Sequence, residues 1–182
     1  MKKFIVLMIA IIVASITCFA QDYKVENGNV IVQRIDSIKV SPSEASVLLQ
    51  GFFANNMNDV NTTGKLANDN QIVVKYLESN LCFHTNGQWH VDAMISINVQ
   101  IKNGRMRTTL STYEAINESV TYRHFNYYFK DAYPLNPKHN VWKLGIEKKA
   151  AEKAFNELVF RMNDMAQRIV DAVNVTPVLD EW

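Results

Sequence analysis

Apolar and polar residues alternate strictly in the middle of the chain, between Val91 and Lys102. The aliphatic positions are Val91, Ala93, Ile95, Ile97, Val99 and Ile101, and all the residues between them except Met94 are polar. A period of two predicts a β-strand with one buried face and one solvent-facing face. Asn103-Gly104 follows directly, and this dipeptide suits a two-residue type I′ turn because both residues tolerate positive φ.

A turn at Asn103-Gly104 fixes the register of a hairpin that ends near Tyr113. The predicted cross-strand pairs are Lys102 with Arg105, Ile101 with Met106, Val99 with Thr108 and Ile97 with Leu110. In this register the apolar residues of both strands share one face, whereas a slip of one residue would expose them all. The rest of the fold prediction depends on this hairpin.

Two further segments predict strands. Asn29–Val40 is rich in β-branched residues, with a change of phase at Gln33-Arg34 that predicts a bulge or a late start to pairing. Gln71–His84 also alternates, and an Asn-Gly turn at 86–87 predicts that it pairs with the central hairpin. That turn sets Ile72 near Ile101, Val74 near Val99 and Tyr76 near Ile97, with a bulge expected near Ser79.

A capped helix is predicted directly after the first strand. Ser41 suits the N-cap, Pro42 suits the first helical position, and Glu44 completes a capping box. The apolar stripe comprises Ala45, Leu48, Leu49, Phe52 and Phe53. An Asn-rich run weakens the helix, and the residues at 62–64 are expected to end it.

A second, longer helix is predicted over Ile146–Val173. Its apolar positions step by three and four residues and are Ala151, Phe155, Leu158, Met162, Met165 and Ile169. At ~1.5 Å per residue the helix is roughly 40 Å long, more than a small sheet needs. We therefore expect that one end projects or that the helix packs on a second molecule.

These elements predict an α+β fold in the order β-α-β-β-β, with an antiparallel sheet, a packed helix and a long C-terminal helix. The expected organisation is a signal peptide at 1–20, an α+β domain at 21–116, an aromatic-rich connector packed on that domain at 117–145, and the C-terminal helix and tail at 146–182. The chain length of 182 residues suits one such domain.

The N-terminus has the features of a secretory signal peptide. Lys2 and Lys3 precede the apolar run Phe4–Val13, which is too short to span a membrane, and Ala20 completes a cleavage site. We therefore expect export to the periplasm or the cell surface after cleavage near Ala20. Lipoprotein anchoring at Cys18 is the alternative, although the residue before it departs from the usual lipobox.

Charge and cysteine content narrow the possible functions. Without Lys2 and Lys3 the chain has 17 basic and 18 acidic residues, a formal charge of −1. A near-neutral chain gives no electrostatic case for nucleic-acid binding. Only Cys82 follows the cleavage site, which excludes a disulfide within the mature chain.

The sequence carries no familiar catalytic signature. It lacks a nucleophile elbow, a glycine-rich phosphate loop, a zinc-protease helix and a Cys-x-x-Cys pair. Cys82, His84 and His90 flank the turn at 86–87, but a metal site needs three or four converging ligands. We therefore predict no metal, no cofactor and no catalytic residue, with a small hydrolase or metal-dependent enzyme at these three residues as the alternative.

Two groups of residues are candidate ligand-binding positions. The first comprises Lys102, Arg105, Arg107 and Tyr113 of the central hairpin. It predicts an anion- or glycan-binding face, unless its charges serve to discourage strand aggregation at a sheet edge. The second comprises Tyr127, Tyr128 and Phe129, whose rings can bind sugars or peptides or can cover the open end of the core.

The capped helix with Leu48-Leu49 and Phe52-Phe53, followed by the turn at 102–107, resembles a bacterial family of exported proteins. That family is a domain of unknown function with a fold like the TATA-box-binding protein (TBP-like), and Gly104, Arg105 and Arg107 match its most recognisable turn. The resemblance covers about Asn29–Ile116 and implies a curved antiparallel sheet with helices on one face. It implies no catalytic residues, and DNA binding is not inherited from a fold because function resides in sites.

The predicted function is that of an exported, non-enzymatic binding or assembly module whose partner is a protein or a glycan. The small extracytoplasmic enzyme is one alternative. A structural homodimer joined through the C-terminal helix is the other.

Overall fold

The computed structural model describes residues 23–57, 63–68, 70–83, 90–113 and 148–174. Its strands are β1 Lys24–Glu26, β2 Asn29–Ser37, β3 Thr63–Asn68, β4 Gln71–Phe83, β5 His90–Lys102 and β6 Arg105–Thr112, and its helices are α1 Pro42–Asn56 and α2 Lys148–Asn174. The predicted signal peptide, the turn at 86–87, the connector at 117–145 and the domain boundaries next to it lie outside the described residues.

The described strands form one antiparallel sheet in the order β1-β2-β6-β5-β4-β3. The α+β class is confirmed, and so is the predicted register of the central hairpin, in which Lys102 pairs with Arg105 and Ile97 with Leu110. The edge strands β1 and β3 were not predicted. β1 has only three residues, and the first two residues of β3, Thr63 and Gly64, were interpreted as the end of the preceding helix.

The two described Asn-Gly turns have different backbone geometry. At the central turn Gly104 has a φ of 73° and Asn103 stays outside the positive region, so the predicted type I′ turn is wrong although its register is right. Between β1 and β2, Asn27 and Gly28 both have positive φ, at 53° and 76°. This is the pattern that a type I′ turn requires, at a dipeptide that sequence reasoning overlooked.

β2 pairs with β6 without a shift in register, so the predicted bulge at Gln33-Arg34 is wrong. The inward-facing positions of the second half of β2 are occupied by polar residues instead of aliphatic ones. Arg34 and Asp36 form an ion pair at 3.0 Å on that face, and Arg34 also donates a hydrogen bond to Gln167 of α2. Ile35 faces the other way and is 66% exposed. The apparent change of phase therefore reflects a polar contact with α2.

β4 pairs with β5 in a register two residues away from the predicted one. The observed pairs are Ile72 with Val99, Val74 with Ile97 and Tyr76 with Ile95. The cause is an irregularity between Glu78 and Cys82, where Asn80 has a φ of 61°. The bulge near Ser79 is confirmed, and its effect on register was missed. Because the shift is even, the same side chains still face inward.

Both helices pack on one face of the sheet. The Ser41 hydroxyl accepts a hydrogen bond from the backbone N–H of Glu44, as predicted for the N-cap of α1. The buried residues of this layer include Leu49 and Phe53 of α1 and Leu158, Met162 and Ile169 of α2.

The apolar stripe of α2 is buried from Ala154 to Val173. It packs on α1 and on strands β2, β4 and β6 of the same chain. Within the described residues, this stripe is therefore covered by the chain's own sheet and first helix, and packing on a second molecule stays a prediction. Neither described helix is long and apolar enough to cross a membrane.

Candidate binding face of the sheet

The face of the sheet opposite the helices, called the outer face from here on, carries mostly polar side chains. From its centre to the Asn103-Gly104 turn, its positions on the four inner strands include Ile31, Gln33, Ile35, Gln71, Val73, Lys75, Ser96, Asn98, Gln100, Lys102, Arg105, Arg107, Thr109 and Ser111. These side chains are half-buried or exposed, whereas most of their neighbours on the inner face are buried. Nearer the start of β5, Asp92 and Met94 also occupy outer positions and are buried. The outer face therefore remains open to solvent across its centre.

Side-chain hydrogen bonds connect the strands across the outer face. Gln33 Nε2 donates to Thr109 Oγ1 at 3.1 Å, which links β2 to β6. Gln71 Nε2 donates to Asn98 Oδ1 at 2.9 Å, which links β4 to β5. Because Thr109 and Asn98 are themselves cross-strand neighbours, these amides and the hydroxyl form a continuous polar band.

Cationic side chains join this polar band at two places. Arg107 Nε donates to Gln100 Oε1 at 2.9 Å, and its Nη2 donates to the same oxygen. Near the opposite end of the hairpin, Lys75 Nζ lies 5.0 Å from the centroid of the Tyr113 ring. This is within the range of a cation–π contact.

One end of the outer face is basic. This basic tip consists of Lys39, Lys102, Arg105 and Arg107, all of which are exposed. Lys102 and Arg105 are direct cross-strand partners, and Arg107 is the next outward residue of β6. No described carboxylate pairs with these four residues.

The backbone of the basic tip is held from both sides. The N–H of Ile38 donates to the carbonyl of Gly104 at 3.1 Å, which ties the turn to the connection between β2 and α1. On the other side, the N–H of Ile101 donates to the carbonyl of Asn70 at 2.8 Å. The charged side chains therefore extend from a braced backbone rather than from a free loop.

The sheet order removes one explanation of these charges. Edge strands commonly carry Lys and other charges that prevent pairing with a second chain. β5 and β6 are the two central strands of the sheet, so Lys102, Arg105 and Arg107 protect no edge.

The structure brings only part of the predicted site together. Lys102, Arg105 and Arg107 cluster as expected, whereas Tyr113 lies eight positions beyond Arg105, about 27 Å away along an extended strand. Tyr127, Tyr128 and Phe129 lie outside the described residues. Sequence reasoning did not identify Gln33 or Gln71, which reach this face through strand pairings that no local pattern shows. It also missed Lys39, whose neighbour Ile38 is hydrogen-bonded to Gly104 in the turn.

The residues of the alternative enzyme site are not cross-strand partners. Cys82 pairs with Val91, and His90 pairs with Phe83. Because successive strand positions alternate between faces, positions 82 and 90 belong to opposite faces of the sheet. His84 lies outside the described residues, and no cluster of three or more potential metal ligands occurs within the described part of the chain.

The most strongly perturbed ionisable groups lie on the inner face beside the β4 bulge. Arg161 of α2 donates to Glu78 Oε1 at 2.7 Å, to the carbonyl of Ser79 at 2.9 Å and to Glu157 Oε1 at 2.7 Å. Partial burial lowers the pKa of Arg161, but its bonds to Glu78 and Glu157 outweigh that effect and raise it. Burial, followed by the nearby Glu78 charge, raises the pKa of the Tyr76 hydroxyl. This cluster joins α2 to the β4 bulge.

Comparison with known proteins supports the fold. No family model and no curated protein matches the sequence. A TBP-like protein from Parabacteroides distasonis ATCC 8503 matches with a TM-score of 0.57 and 16% identity, over 82% of this chain and 96% of that one. The fold is TBP-like.

A second solved structure agrees with this result. A DUF4468 family protein from Bacteroides ovatus ATCC 8483 matches with a TM-score of 0.54 and 14% identity, over 88% of this chain and 94% of that one. The predicted resemblance to bacterial proteins of unknown function with a TBP-like fold is thereby confirmed. At such low identity the likeness concerns the fold alone, and any function must be argued from the residues of this chain.

Proposed function

We propose that this protein is an exported, non-enzymatic binding module that holds a protein or glycan partner on the outer face of its TBP-like sheet. The observation that carries the proposal is the contrast between the two faces. The inner face is covered by α1 and α2, whereas the outer face presents a band of amide and hydroxyl groups to solvent. Such groups suit a ligand that both donates and accepts hydrogen bonds.

The outer face is also well organised for binding. Side-chain hydrogen bonds join Gln33 to Thr109 and Gln71 to Asn98. Because Thr109 and Asn98 are cross-strand partners, these contacts order polar side chains across four strands. A side chain that is positioned before binding loses less conformational entropy when a ligand arrives. Sites on sheet strands are also held more precisely than sites on loops. This combination favours a binding surface over a merely solvated face.

Nuclear magnetic resonance of the purified protein tests the proposal. Neutral and acidic oligosaccharides would be titrated while the side-chain amide signals of Gln33, Gln71, Asn98 and Gln100 are followed. We expect these signals to shift, while the amide of Asn163, which is bonded to the Val159 carbonyl within α2, stays in place.

A pair of variants provides the control for this titration. Gln33→Ala with Asn98→Ala should weaken binding, whereas Gln50→Ala on α1, an exposed amide far from the sheet face, should leave it unchanged. Shifts confined to the two helices, or equal losses in the two variants, would argue against the outer face. Export is tested separately by mass spectrometry of the protein from its native cell, which should begin near Gln21.

A further inference from the structure

We propose that the basic tip, formed by Lys39, Lys102, Arg105 and Arg107, is a binding site for an acidic polysaccharide whose sugar units carry carboxylate groups. This inference rests on the proposed binding function and specifies the class of partner. It also assigns different roles to the two parts of the outer face. The basic tip binds the charges, and the adjoining polar band binds the sugar hydroxyls.

Like charges lie side by side at the basic tip. Lys102 and Arg105 are direct cross-strand partners, and like charges at such positions repel each other. The carboxylate next to this end of β2, Asp36, faces inward and pairs with Arg34. Among the described residues, therefore, nothing neutralises the basic tip. A bound anion would relieve the repulsion and would gain charge-assisted hydrogen bonds.

Arg107 is oriented by a neighbouring amide. Its Nε and Nη2 both donate to Gln100 Oε1, which fixes the plane of the guanidinium group. Its remaining edge, with Nη1, makes no hydrogen bond with a described residue. A guanidinium held in this way can offer further N–H groups to a carboxylate at little entropic cost.

The side chains around the basic tip suit a polysaccharide better than a membrane surface. Proteins that dock on anionic lipid place apolar side chains beside the cations so that these enter the bilayer. Among the described residues beside the basic tip, Ile35, the cross-strand partner of Arg107, is the one strongly exposed aliphatic residue. The other outer-face residues next to the tip include Gln100, Gln71 and Asn98, whose amides suit sugar hydroxyls.

The test compares two variants that lose the same charge. Lys102→Gln with Arg105→Gln removes two cations from the basic tip. Lys24→Gln with Lys153→Gln removes two exposed cations elsewhere. Binding of each purified protein to polygalacturonate, to neutral dextran and to phosphatidylglycerol vesicles would be measured by calorimetry and sedimentation, at low salt and at physiological salt.

We expect the wild-type protein to bind polygalacturonate, and binding to weaken by about tenfold or more in the tip variant and much less in the control. Equal weakening in both variants, preference for the vesicles, or no binding of polygalacturonate would overturn the inference. If dextran binds as tightly as polygalacturonate and the tip variant binds both equally well, the acidic-ligand inference fails while the proposed binding function stands. Circular dichroism of both variants confirms that they fold.

Discussion

The two faces of the central hairpin show how differently neighbouring residues in one strand are constrained. On the inner face, Ile95, Ile97 and Leu110 are completely buried. On the outer face, the neighbouring residues Asn98 and Thr109 form side-chain hydrogen bonds with adjacent strands and remain partly exposed to solvent. Residues on the inner face must have the shape and volume that fill the core. Residues on the outer face must place hydrogen-bonding groups opposite one another on neighbouring strands.

This difference matters for function because only the outer face can change without disturbing the core. A buried aliphatic side chain fills space that no other residue can fill without a cavity or a clash. An outer polar residue can be replaced at small cost to folding. Stability and binding should therefore separate cleanly between the two faces, and the following predictions test that separation.

The largest expected difference is between two consecutive residues of β6. Leu110→Ala should reduce the free energy of unfolding by about 2–5 kcal/mol, because it leaves a cavity in a fully buried site. Thr109→Ala, one residue earlier on the outer face, should cost less than about 1 kcal/mol. Urea denaturation with unchanged m-values checks both. Equal losses would mean that the outer face is as tightly constrained as the core.

Loss of the ion pair between Arg161 and Glu78 should have the next largest effect on stability. Arg161→Met keeps most of the stem of the side chain but leaves Glu78, which is only 18% exposed, without its ion-pair partner. We expect a loss of about 1–3 kcal/mol. Glu157→Gln removes only the exposed partner within α2 and should cost about 0.5 kcal/mol or less. If the two variants have the same stability, the contacts of Arg161 with Glu78 and Ser79 at the bulge add nothing to the free energy of unfolding.

A substitution in the Asn103-Gly104 turn, which sets the register of the hairpin, should have a smaller effect on stability. Gly104→Ala adds a Cβ that meets nothing within 4 Å, so its cost comes from the backbone φ of 73°. We expect a loss of about 1 kcal/mol. Gly51→Ala in α1 also adds a Cβ in open space, and it should stabilise the protein by about 0.5–1 kcal/mol. Thermal denaturation of both variants should shift in opposite directions.

The smallest effect at neutral pH is expected at Tyr76. Its buried hydroxyl has no hydrogen-bond partner within bonding distance among the described residues, so Tyr76→Phe should change stability by less than about 1 kcal/mol at pH 7. Burial raises the pKa of Tyr76 in the folded state. An unfolded tyrosine loses its proton near pH 10, so this contribution is present below about pH 10 and is lost as pH rises further. Between pH 8 and pH 11 the wild type should lose more stability than the variant, as measured by urea denaturation.

The site was only partly predictable from the sequence. Lys102, Arg105 and Arg107 lie within five residues of one turn, so the hairpin register alone brings them together. Gln33 and Gln71 are far from that turn in sequence and reach the outer face only because β2 and β4 flank the hairpin. The same pairing places Lys102, Arg105 and Arg107 on central strands. Their charges therefore cannot serve to protect a sheet edge from aggregation. The roles of Tyr127, Tyr128 and Phe129 stay predictions.

The sequence by itself determined the elements whose signals are local. An alternating strand, an Asn-Gly turn and a capped amphipathic helix each depend on a few neighbouring residues, because backbone preference and side-chain period act over short distances. The tertiary structure alone decided the shifted pairing of β4, the edge strands β1 and β3, and the packing of α2 across its own sheet. These features depend on contacts between distant segments, and at Arg34 and Glu78 such contacts bring polar residues onto the inner face.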